Sequence, residues 1–300
     1  MKGNAVEYIL LATLALLWGS SYLFIKIAVA EIPPITLIAI RVSIAAVCLS
    51  AIMGFRGQRF PRDRRVWFKL LIQAMLNSIG AWTVLAWGQQ FVDSGLASVL
   101  NSTSPIFVFF IIMVFTRHEP VSKLKLFGAC IGVFGVALIV GTDVLRGLGT
   151  NIAGQIAIIF GAFLYACAAI YGKKFADIPA TVTAASTMIW ASIFLVPLSL
   201  WLDQPWMLTP SMTAITAALV LSVFCTALAL LIYFRLVKTL GFLGVASQSY
   251  LRAGVGVILG LIVLGERMNL TTIVGLAAAI IGVVVINFPA QTKPRPPSAG

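Results

Sequence analysis

Ten apolar stretches follow one another along the chain, and each is long enough to cross a lipid bilayer, which takes about 20 mostly apolar residues as a helix. Backbone groups inside lipid must form their hydrogen bonds within the segment. No stretch alternates in the manner of a barrel strand, so each is predicted to be helical. The chain is therefore predicted to be an all-α integral membrane protein of ten transmembrane helices. The stretches are 5–30, 34–54, 66–91, 95–115, 121–141, 152–172, 180–202, 210–236, 242–265 and 270–288.

Composition supports a lipid-embedded chain and argues against other classes. Hydrophobic residues make up 60% of the 300 residues and charged residues only 10%, whereas a soluble domain carries about 25% charged residues. The net charge of +12 does not indicate nucleic-acid binding, because the basic residues form short clusters between the apolar stretches. The cysteines lie inside apolar stretches without a C-x-x-C pair, which indicates packing residues and predicts no metal or other cofactor. They are Cys48, Cys130, Cys167 and Cys225.

The distribution of lysine and arginine gives the stretches a direction. With the N-terminus in the cytoplasm, sixteen basic residues fall on the cytoplasmic side, only Arg146 and Arg267 on the other side, and three within spans. Cytoplasmic loops of membrane proteins carry an excess of positive charge. Both termini are therefore predicted to be cytoplasmic, and the Pro-rich tail, 290–300, is predicted to be disordered.

The two halves of the chain resemble each other at a nearly constant offset of 146 or 147 residues. This pattern predicts a duplication, with one repeat over 1–145 and a second over 146–289. Each repeat holds five spans, an odd number, so the second copy is expected to be inverted relative to the first. Inverted repeats are typical of transporters; the alternative is a shared helix-packing pattern without a transport function. The matching positions are Glu31-Ile32-Pro33 with Asp177-Ile178-Pro179, Glu119 with Glu266, Gly128 with Gly275, and Gly135 with Gly282.

Short motifs in spans one, two, four and nine form a recognisable set. They are Trp18-Gly19-Ser20-Ser21 followed by Lys26, Arg41, Pro105 followed by Glu119 and Gly128, and Ser249-Tyr250-Leu251-Arg252 leading to Leu264-Gly265-Glu266-Arg267. Together they resemble the drug/metabolite transporter (DMT) superfamily, specifically its EamA-type members with ten helices, over about residues 8–288. One departure is Ala253, where the family often has proline, which puts the bend expected there in doubt.

Within that superfamily the chain most resembles the bacterial aromatic amino acid exporters of the YddG type. The resemblance implies export of aromatic and other hydrophobic amino acids across the inner membrane, by alternating access at a central cavity between the repeats. Together with the polar triplets described next, it implies that spans one, three, four, six, eight and nine line the cavity. A DMT carrier for another small solute, such as a drug cation, a purine or a sugar derivative, is the alternative.

Polar residues within spans are the first candidates for substrate binding, since they are costly in lipid unless they face protein or water. Asn101-Ser102-Thr103 in span four lies at the repeat offset from Gln248-Ser249-Tyr250 in span nine. Carboxamides and hydroxyls supply both donors and acceptors, which suits the ammonium and carboxylate of an amino acid. The alternative is hydrogen bonding between helices. The candidates from these triplets are Asn101, Thr103, Gln248 and Tyr250.

Aromatic rings and one arginine complete the candidate substrate site. Rings at mid-membrane suit an aromatic or apolar substrate side chain, and core packing is the alternative at each position. Arg252, nearest the middle of its span, is assigned to substrate binding because a guanidinium can hold a carboxylate bidentately; the alternative is that it neutralises helix C-termini and locks the bundle. The aromatic candidates are Trp18, Tyr22, Trp82, Trp87 and Tyr165, with Trp190 as a further mid-membrane ring.

Four other charged residues, Lys26, Arg41, Glu119 and Glu266, are assigned to a gate or to structure. Lys26 lies about one turn from the end of its span and can extend to the headgroups. Each glutamate precedes a helix, where a carboxylate beside the N-terminus is favourable. Pairing across a closed end of the protein is the alternative for the glutamates.

Small residues predict close helix contacts in spans five and ten. The patterns are Gly128-x-x-x-Gly132 and Gly275-x-x-x-Ala279, which let helix backbones approach each other. Either the two halves pack together through these faces or a homodimer forms through them.

A membrane-embedded enzyme and a scaffold are the alternatives from other classes. The only histidine, His118, lies in a loop, no H-E-x-x-H occurs, and no Asp or Glu lies deep within a span. General acid–base and zinc chemistry therefore have no candidates, and a scaffold does not need an inverted repeat. We expect a carrier of a small molecule rather than an enzyme. Proton and sodium carriers usually place carboxylates in the pathway, so facilitated exchange or efflux is predicted.

Overall fold

A computed structural model describes residues 2–115, 123–145, 149–246, 248–266 and 269–287. Within these ranges the chain forms helices and connecting turns and no strand. The α-helices of this part are α1 (Lys2–Val29), α2 (Pro34–Phe55), α3 (Arg64–Ala74), α4 (Trp82–Gly88), α5 (Ser94–Asn101), α6 (Ser104–Phe115), α7 (Lys123–Leu145), α8 (Gly149–Gly172), α9 (Ala180–Leu202), α10 (Met212–Ser222), α11 (Ala229–Ala246), α12 (Gln248–Val263) and α13 (Leu270–Asn287).

The prediction of an all-helical, multi-pass membrane chain is confirmed in the described part. Seven helical segments are long and apolar enough to cross a membrane. Three shorter apolar helices, Leu126–Leu138, Leu251–Val263 and Leu270–Val285, fall within the predicted spans five, nine and ten. The seven segments are Ala5–Val29, Pro34–Phe55, Arg64–Gly88, Ser94–Val114, Ile152–Phe175, Ala180–Leu202 and Met212–Leu236.

Span four is interrupted at its polar triplet. Helix α5 ends at Asn101 and α6 begins at Ser104. The Thr103 hydroxyl donates to the Leu100 carbonyl at 2.6 Å, a local bond that competes with the regular helix ladder. Pro105 has no N–H, so the carbonyl of Asn101 receives no helical bond from it. The chain therefore breaks at mid-span, where discontinuous helices form binding sites in transporters.

One predicted break is wrong. Gly241, between the predicted spans eight (210–236) and nine (242–265), was expected to end a helix. No break occurs there, because α11 runs from Ala229 to Ala246 and α12 begins at Gln248. A single glycine inside a helix costs only about 1 kcal/mol relative to alanine, which neighbouring contacts offset. Span nine therefore begins later than the predicted residue 242.

Two π-helical segments occupy equivalent places in the two halves of the chain. Met75–Ala81 joins α3 to α4, and Val223–Leu228 joins α10 to α11. The second begins 148 residues after the first begins and ends 147 residues after the first ends. Such segments are rare and occur frequently at functional sites. Their spacing is close to the offset of the sequence repeat. It is observed in the backbone geometry and does not depend on which residues match.

Spans five and ten, α7 and α13, pack backbone against backbone. A Cβ added to Gly135 would lie 2.5 Å from the Ala279 nitrogen and the Gly275 carbonyl oxygen, and one added to Gly282 would lie 2.6 Å from the Gly128 carbonyl oxygen. Each helix thus covers the small-residue face of the other within one chain. Of the two sequence-based alternatives, packing between the halves is the one that the structure shows.

Candidate functional site

Arg41 lies at the centre of the bundle, where it contacts residues of both halves. Its Nε donates to the Thr226 hydroxyl at 2.8 Å, and its guanidinium carbon stands 3.8 Å from the centroid of the Trp82 ring. The Thr226 hydroxyl donates in turn to the Leu221 carbonyl, five residues earlier, at 2.8 Å. The π-helical segment around Thr226 thus presents the hydroxyl oxygen to Arg41. Because Arg41 is only 6% exposed, its charge is held largely inside the protein.

Tyr22 links this arginine to the break in span four. Its hydroxyl accepts a hydrogen bond from Asn101 Nδ2 at 2.7 Å, and its backbone carbonyl accepts one from Gln89 Nε2 at 2.9 Å. The carboxamide oxygens of Asn101 and Gln89 are both buried and have no hydrogen-bond partner. A buried carbonyl oxygen without a donor is costly, so these two atoms mark places where a ligand or water can donate.

Tyr165 of α8 lies near both Arg41 and Arg252. It is close enough to Arg41, Tyr22 and Arg252 for their charges to act on it, and the Trp82 side chain approaches its hydroxyl. The Nε of Arg252 is enclosed and without a partner. We call Tyr22, Arg41, Trp82, Asn101, Tyr165, Thr226 and Arg252 the central cluster; its members come from α1, α2, α4, α5, α8, the second π-helical segment and α12.

The structure places some of the predicted substrate-binding residues in the central cluster and others elsewhere. Tyr22, Trp82, Asn101, Tyr165 and Arg252 lie in the central cluster. Thr103 is buried beside it at the helix break. The side chains of Gln248 and Tyr250 and the whole of Glu119 lie outside the described residues.

Three tryptophans have other surroundings. Trp87 is 42% exposed and its ring packs on Phe91, 5.0 Å away. Trp18 packs on Tyr233, with ring centroids 5.3 Å apart, in a separate apolar cluster. The Trp190 indole donates to the Trp67 carbonyl at 3.0 Å.

Two residues of the site were missed by the sequence analysis. Gln89 follows α4, close to the predicted end of span three at residue 91, and was not singled out, yet its side chain turns back to Tyr22 and is fully buried. Thr226 is one of many hydroxyls in apolar helices, and only the π-helical backbone identifies it. Arg41 was assigned to a gate or to structure, and its central position also had no signal in the sequence.

Lys26 and Glu266 both form hydrogen bonds to the backbone of the segment that joins α4 to α5. Lys26 Nζ donates to the carbonyls of Gln89 and Val92 at 2.9 and 2.8 Å, so it caps the C-terminus of span three and does not extend to the headgroups. Glu266 accepts from the backbone N–H groups of Ser94 and Gly95 at 2.6 and 3.0 Å. The carboxylate therefore caps α5, not the helix that follows it as the sequence suggested. We call this arrangement the loop clamp.

Two further carboxylates connect helices at the end of the bundle that carries the loop clamp. Asp203 Oδ2 accepts from the Thr36 N–H and hydroxyl at 3.0 and 2.7 Å. Glu31 accepts from the Ser211 N–H and hydroxyl at 2.6 and 2.7 Å. The two repeats are thus tied together at this end, which we call the Glu266 end.

The Glu31 contact makes stability depend on pH. Hydrogen bonds from the Ser211 N–H and hydroxyl lower the pKa of Glu31 from its ordinary value of 4.5. A carboxylate with a lowered pKa stabilises the fold above its unfolded-state pKa, and the contribution is lost as pH falls through the folded-state value. We expect the Tm of the wild type in detergent to fall more steeply than that of Glu31→Gln between about pH 6 and pH 3. Equal slopes would contradict this.

Comparison with known proteins identifies the family. The EamA-like transporter family model matches the chain twice, over residues 5–141 and 152–288. The chain belongs to this family of transporters. One family model matching both halves agrees with the two π-helical segments at equivalent positions.

Curated relatives cover nearly the same length. The uncharacterized inner membrane transporter YedA of Escherichia coli strain K12 is 27% identical over 289 residues, which is 96% of this chain and 92% of YedA. The uncharacterized transporter YoaV of Bacillus subtilis strain 168 is 29% identical over 161 residues, 54% of this chain and 55% of YoaV. These names give no substrate, so they do not support the aromatic amino acid specificity. The chain is an integral, multi-pass membrane transporter of the EamA family.

A solved structure shows the same fold. A protein crystal structure superposes with a TM-score of 0.64 at 17% identity, covering 94% of this chain and 97% of that one.

Proposed function

We propose that the chain is a ten-span carrier built from two inverted five-helix repeats, 1–145 and 146–289, with both termini in the cytoplasm of a bacterial cell and the spans in its inner membrane. The seven long helical segments and three shorter apolar helices supply the ten spans. The repeated π-helical segments support the duplication, and the excess of basic residues between alternate spans supports the direction. In this topology the Glu266 end faces away from the cytoplasm.

The substrate site of this proposal is the central cluster, between the repeats. Its main support is the set of buried polar atoms without partners, Asn101 Oδ1, Gln89 Oε1 and Arg252 Nε. Asn101 and Gln89 both donate to Tyr22, and Asn101 is the last residue before the break in span four. Ligand sites are mostly apolar with a few convergent polar groups. An aromatic or other hydrophobic amino acid fits this description, since Tyr22, Trp82 and Tyr165 offer rings to its side chain and the carboxamide oxygens accept from its ammonium.

Transport proceeds by alternating access and is driven by the substrate gradient. Inverted repeats move against each other around a fixed central site. The acidic side chains that the structure describes lie at or near helix ends. Among them are the carboxylates that accept hydrogen bonds from Ser94, Thr36 and Ser211. A proton-coupled carrier usually has a carboxylate in its pathway, and the described part of the central cluster contains none.

Counterflow in proteoliposomes tests the function directly. Vesicles preloaded with unlabelled phenylalanine are expected to take up labelled phenylalanine, and neither labelled cationic drugs nor nucleotide sugars should enter. Flux of one of those solutes in place of amino acids would favour a DMT carrier for another solute. Accumulation of phenylalanine driven by an imposed pH gradient would contradict facilitated transport, and turnover of a lipid without any flux would favour an enzyme.

Replacing Asn101 with leucine is expected to lower the counterflow rate at least about tenfold, because one or two hydrogen bonds to a charged group, at about 1.5–3 kcal/mol each, are lost. The matched control is Thr216→Leu, since Thr216 is exposed and its hydroxyl bonds only within its own helix. Elution as a single peak in detergent shows that each variant is folded. Equal rates for Asn101→Leu and the wild type would show that Asn101 does not bind the substrate.

A further inference from the structure

Arg41 is a buried cation without an acidic partner in the described part of the chain. The neighbours close enough to act on its charge are Tyr165, Cys225 and Tyr22, all neutral at pH 7. The described salt bridge, Arg235 with Glu7, lies at the opposite end of the bundle from Glu266. The acidic residues of the sequence all lie at or near the ends of the apolar stretches. The protein therefore brings a positive charge to mid-membrane and supplies no carboxylate for it.

Such an arrangement is expensive unless something else supplies the negative charge. A charged side chain at the centre of a bilayer costs several kcal/mol, and a buried cation without a partner is strongly destabilising. The Trp82 ring face and the Thr226 hydroxyl offset only part of this cost. The remainder indicates that the charge is kept for function.

The geometry also leaves one edge of the guanidinium available. Thr226 occupies Nε, and Trp82 covers one face of the group. Neither of these two contacts engages the terminal nitrogens of the group. Two terminal nitrogens of one guanidinium match the two oxygens of a carboxylate.

We propose that Arg41 is the carboxylate-binding residue of the transport site, so that the carboxylate of the substrate contributes more to binding than its ammonium does. This inference rests on the proposed transport function and narrows it. Arg252 is close enough to Tyr165 for its charge to act on that residue, so it adds a second positive charge to the site. The site therefore excludes drug cations by charge, because a cation entering it meets two guanidinium groups without a counter-charge.

A series of phenylalanine analogues tests the proposal on wild-type proteoliposomes. Phenylalanine, phenylpyruvate, phenylalaninamide and phenethylamine compete for labelled phenylalanine counterflow. The two carboxylates are expected to inhibit, and the amide and the amine to need at least tenfold higher concentrations. Inhibition by the amide and the amine at the same concentrations as phenylalanine would overturn the inference and leave the transport function intact. If no amino acid or carboxylate is moved at all, the proposed function itself fails.

Variants separate binding from a structural role. Arg41→Met is expected to abolish phenylalanine counterflow with an unchanged or higher Tm, since an apolar residue of similar length replaces an unpaired buried charge. Arg41→Lys keeps the charge without the planar fork and is expected to raise KM at least tenfold.

Phenylalanine should raise the Tm of the wild type but not of Arg41→Met, because only a bound ligand stabilises the fold. The matched control is Arg56→Met, whose arginine contacts Thr181 at a helix end; it should behave as the wild type. A large fall in Tm for Arg41→Met, with normal counterflow by its surviving folded fraction, would show that Arg41 only locks the bundle.

Discussion

Gly282→Leu is expected to abolish recovery of folded protein in detergent. Gly282 of α13 lies against Gly128 and Gly132 of α7, and even a single added Cβ would stand 2.6 Å from the Gly128 carbonyl oxygen and from the Gly132 Cα. These atoms are backbone, so no side chain can rotate away. Helix association in a membrane depends on van der Waals contact and close backbone approach, so separating the two helices removes the interaction itself.

Smaller and control substitutions make this prediction quantitative. Gly282→Ala is expected to cost about 2–3 kcal/mol as overpacking, which corresponds to a fall in Tm of about 5–10 °C. In Gly254→Ala the new Cβ meets nothing within 4 Å, so alanine, the better helix former, should leave the Tm unchanged or raise it. Fluorescence-detected size-exclusion chromatography and a thermal melt measure both effects. A monodisperse Gly282→Leu protein with the wild-type Tm would contradict the observed packing of spans five and ten.

The sequence predicted where the helices lie better than which way their side chains face. Hydropathy places residues along a span, and the apolar stretches therefore matched the helices apart from the boundary at Gly241. Facing direction depends on periodicity, and in α2 apolar residues occur on all sides, with Arg41 as the one charged residue of the helix. Nothing in such a helix distinguishes the face toward the centre from the face toward lipid. Arg41 could therefore be placed only by its neighbours in space.

Departures from the regular helix explain the other differences. The π-helical segment Met75–Ala81 changes the rotation of every residue that follows in its span. Trp82, the first residue after this segment, reaches Arg41. Trp87, five residues later in the same helix, lies on a different face and is exposed, although both were assigned to the site. Gln89 lies beyond the last turn of α4, two residues before the predicted end of span three, and its burial results from the side chain folding back to Tyr22.

Glu266→Ala is expected to lower the transport rate by about two orders of magnitude. The carboxylate of Glu266, in the second repeat, accepts two hydrogen bonds from Ser94 and Gly95, in the first. Bonds to a charged acceptor contribute about 1.5–3 kcal/mol each, and a loss of about 3 kcal/mol after the freed N–H groups meet water shifts an equilibrium about 150-fold. Alternating access needs both end-closed states, so a protein that rarely closes the Glu266 end turns over slowly.

The glycines around Glu266 provide a second way to weaken the same contact. Gly265 has a φ of 64°, a left-handed conformation that turns the chain back after α12 and that glycine adopts without strain. Gly260 lies beneath the carboxylate, and a Cβ there would overlap it and stand 2.9 Å from the Ser94 hydroxyl. Gly260→Ala is therefore expected to displace the carboxylate and slow transport without removing its charge. Glu266→Gln, which keeps an acceptor oxygen, should fall between the alanine variant and the wild type.

Cys225 gives a direct measure of whether the Glu266 end has opened. Its thiol is fully buried beside Ser20, next to the central cluster. In a background with the other cysteines replaced by alanine, a membrane-impermeant maleimide added from the Glu266 side should label Cys225 faster in Glu266→Ala than in the wild type. Glu7→Ala, which removes a carboxylate bound to Arg235 at the opposite end, should leave labelling from this side unchanged. Slow transport without faster labelling would mean that Glu266 supports the fold and does not close this end. If Glu266 closes this end, loss of its hydrogen bonds must make Cys225 more accessible to the maleimide.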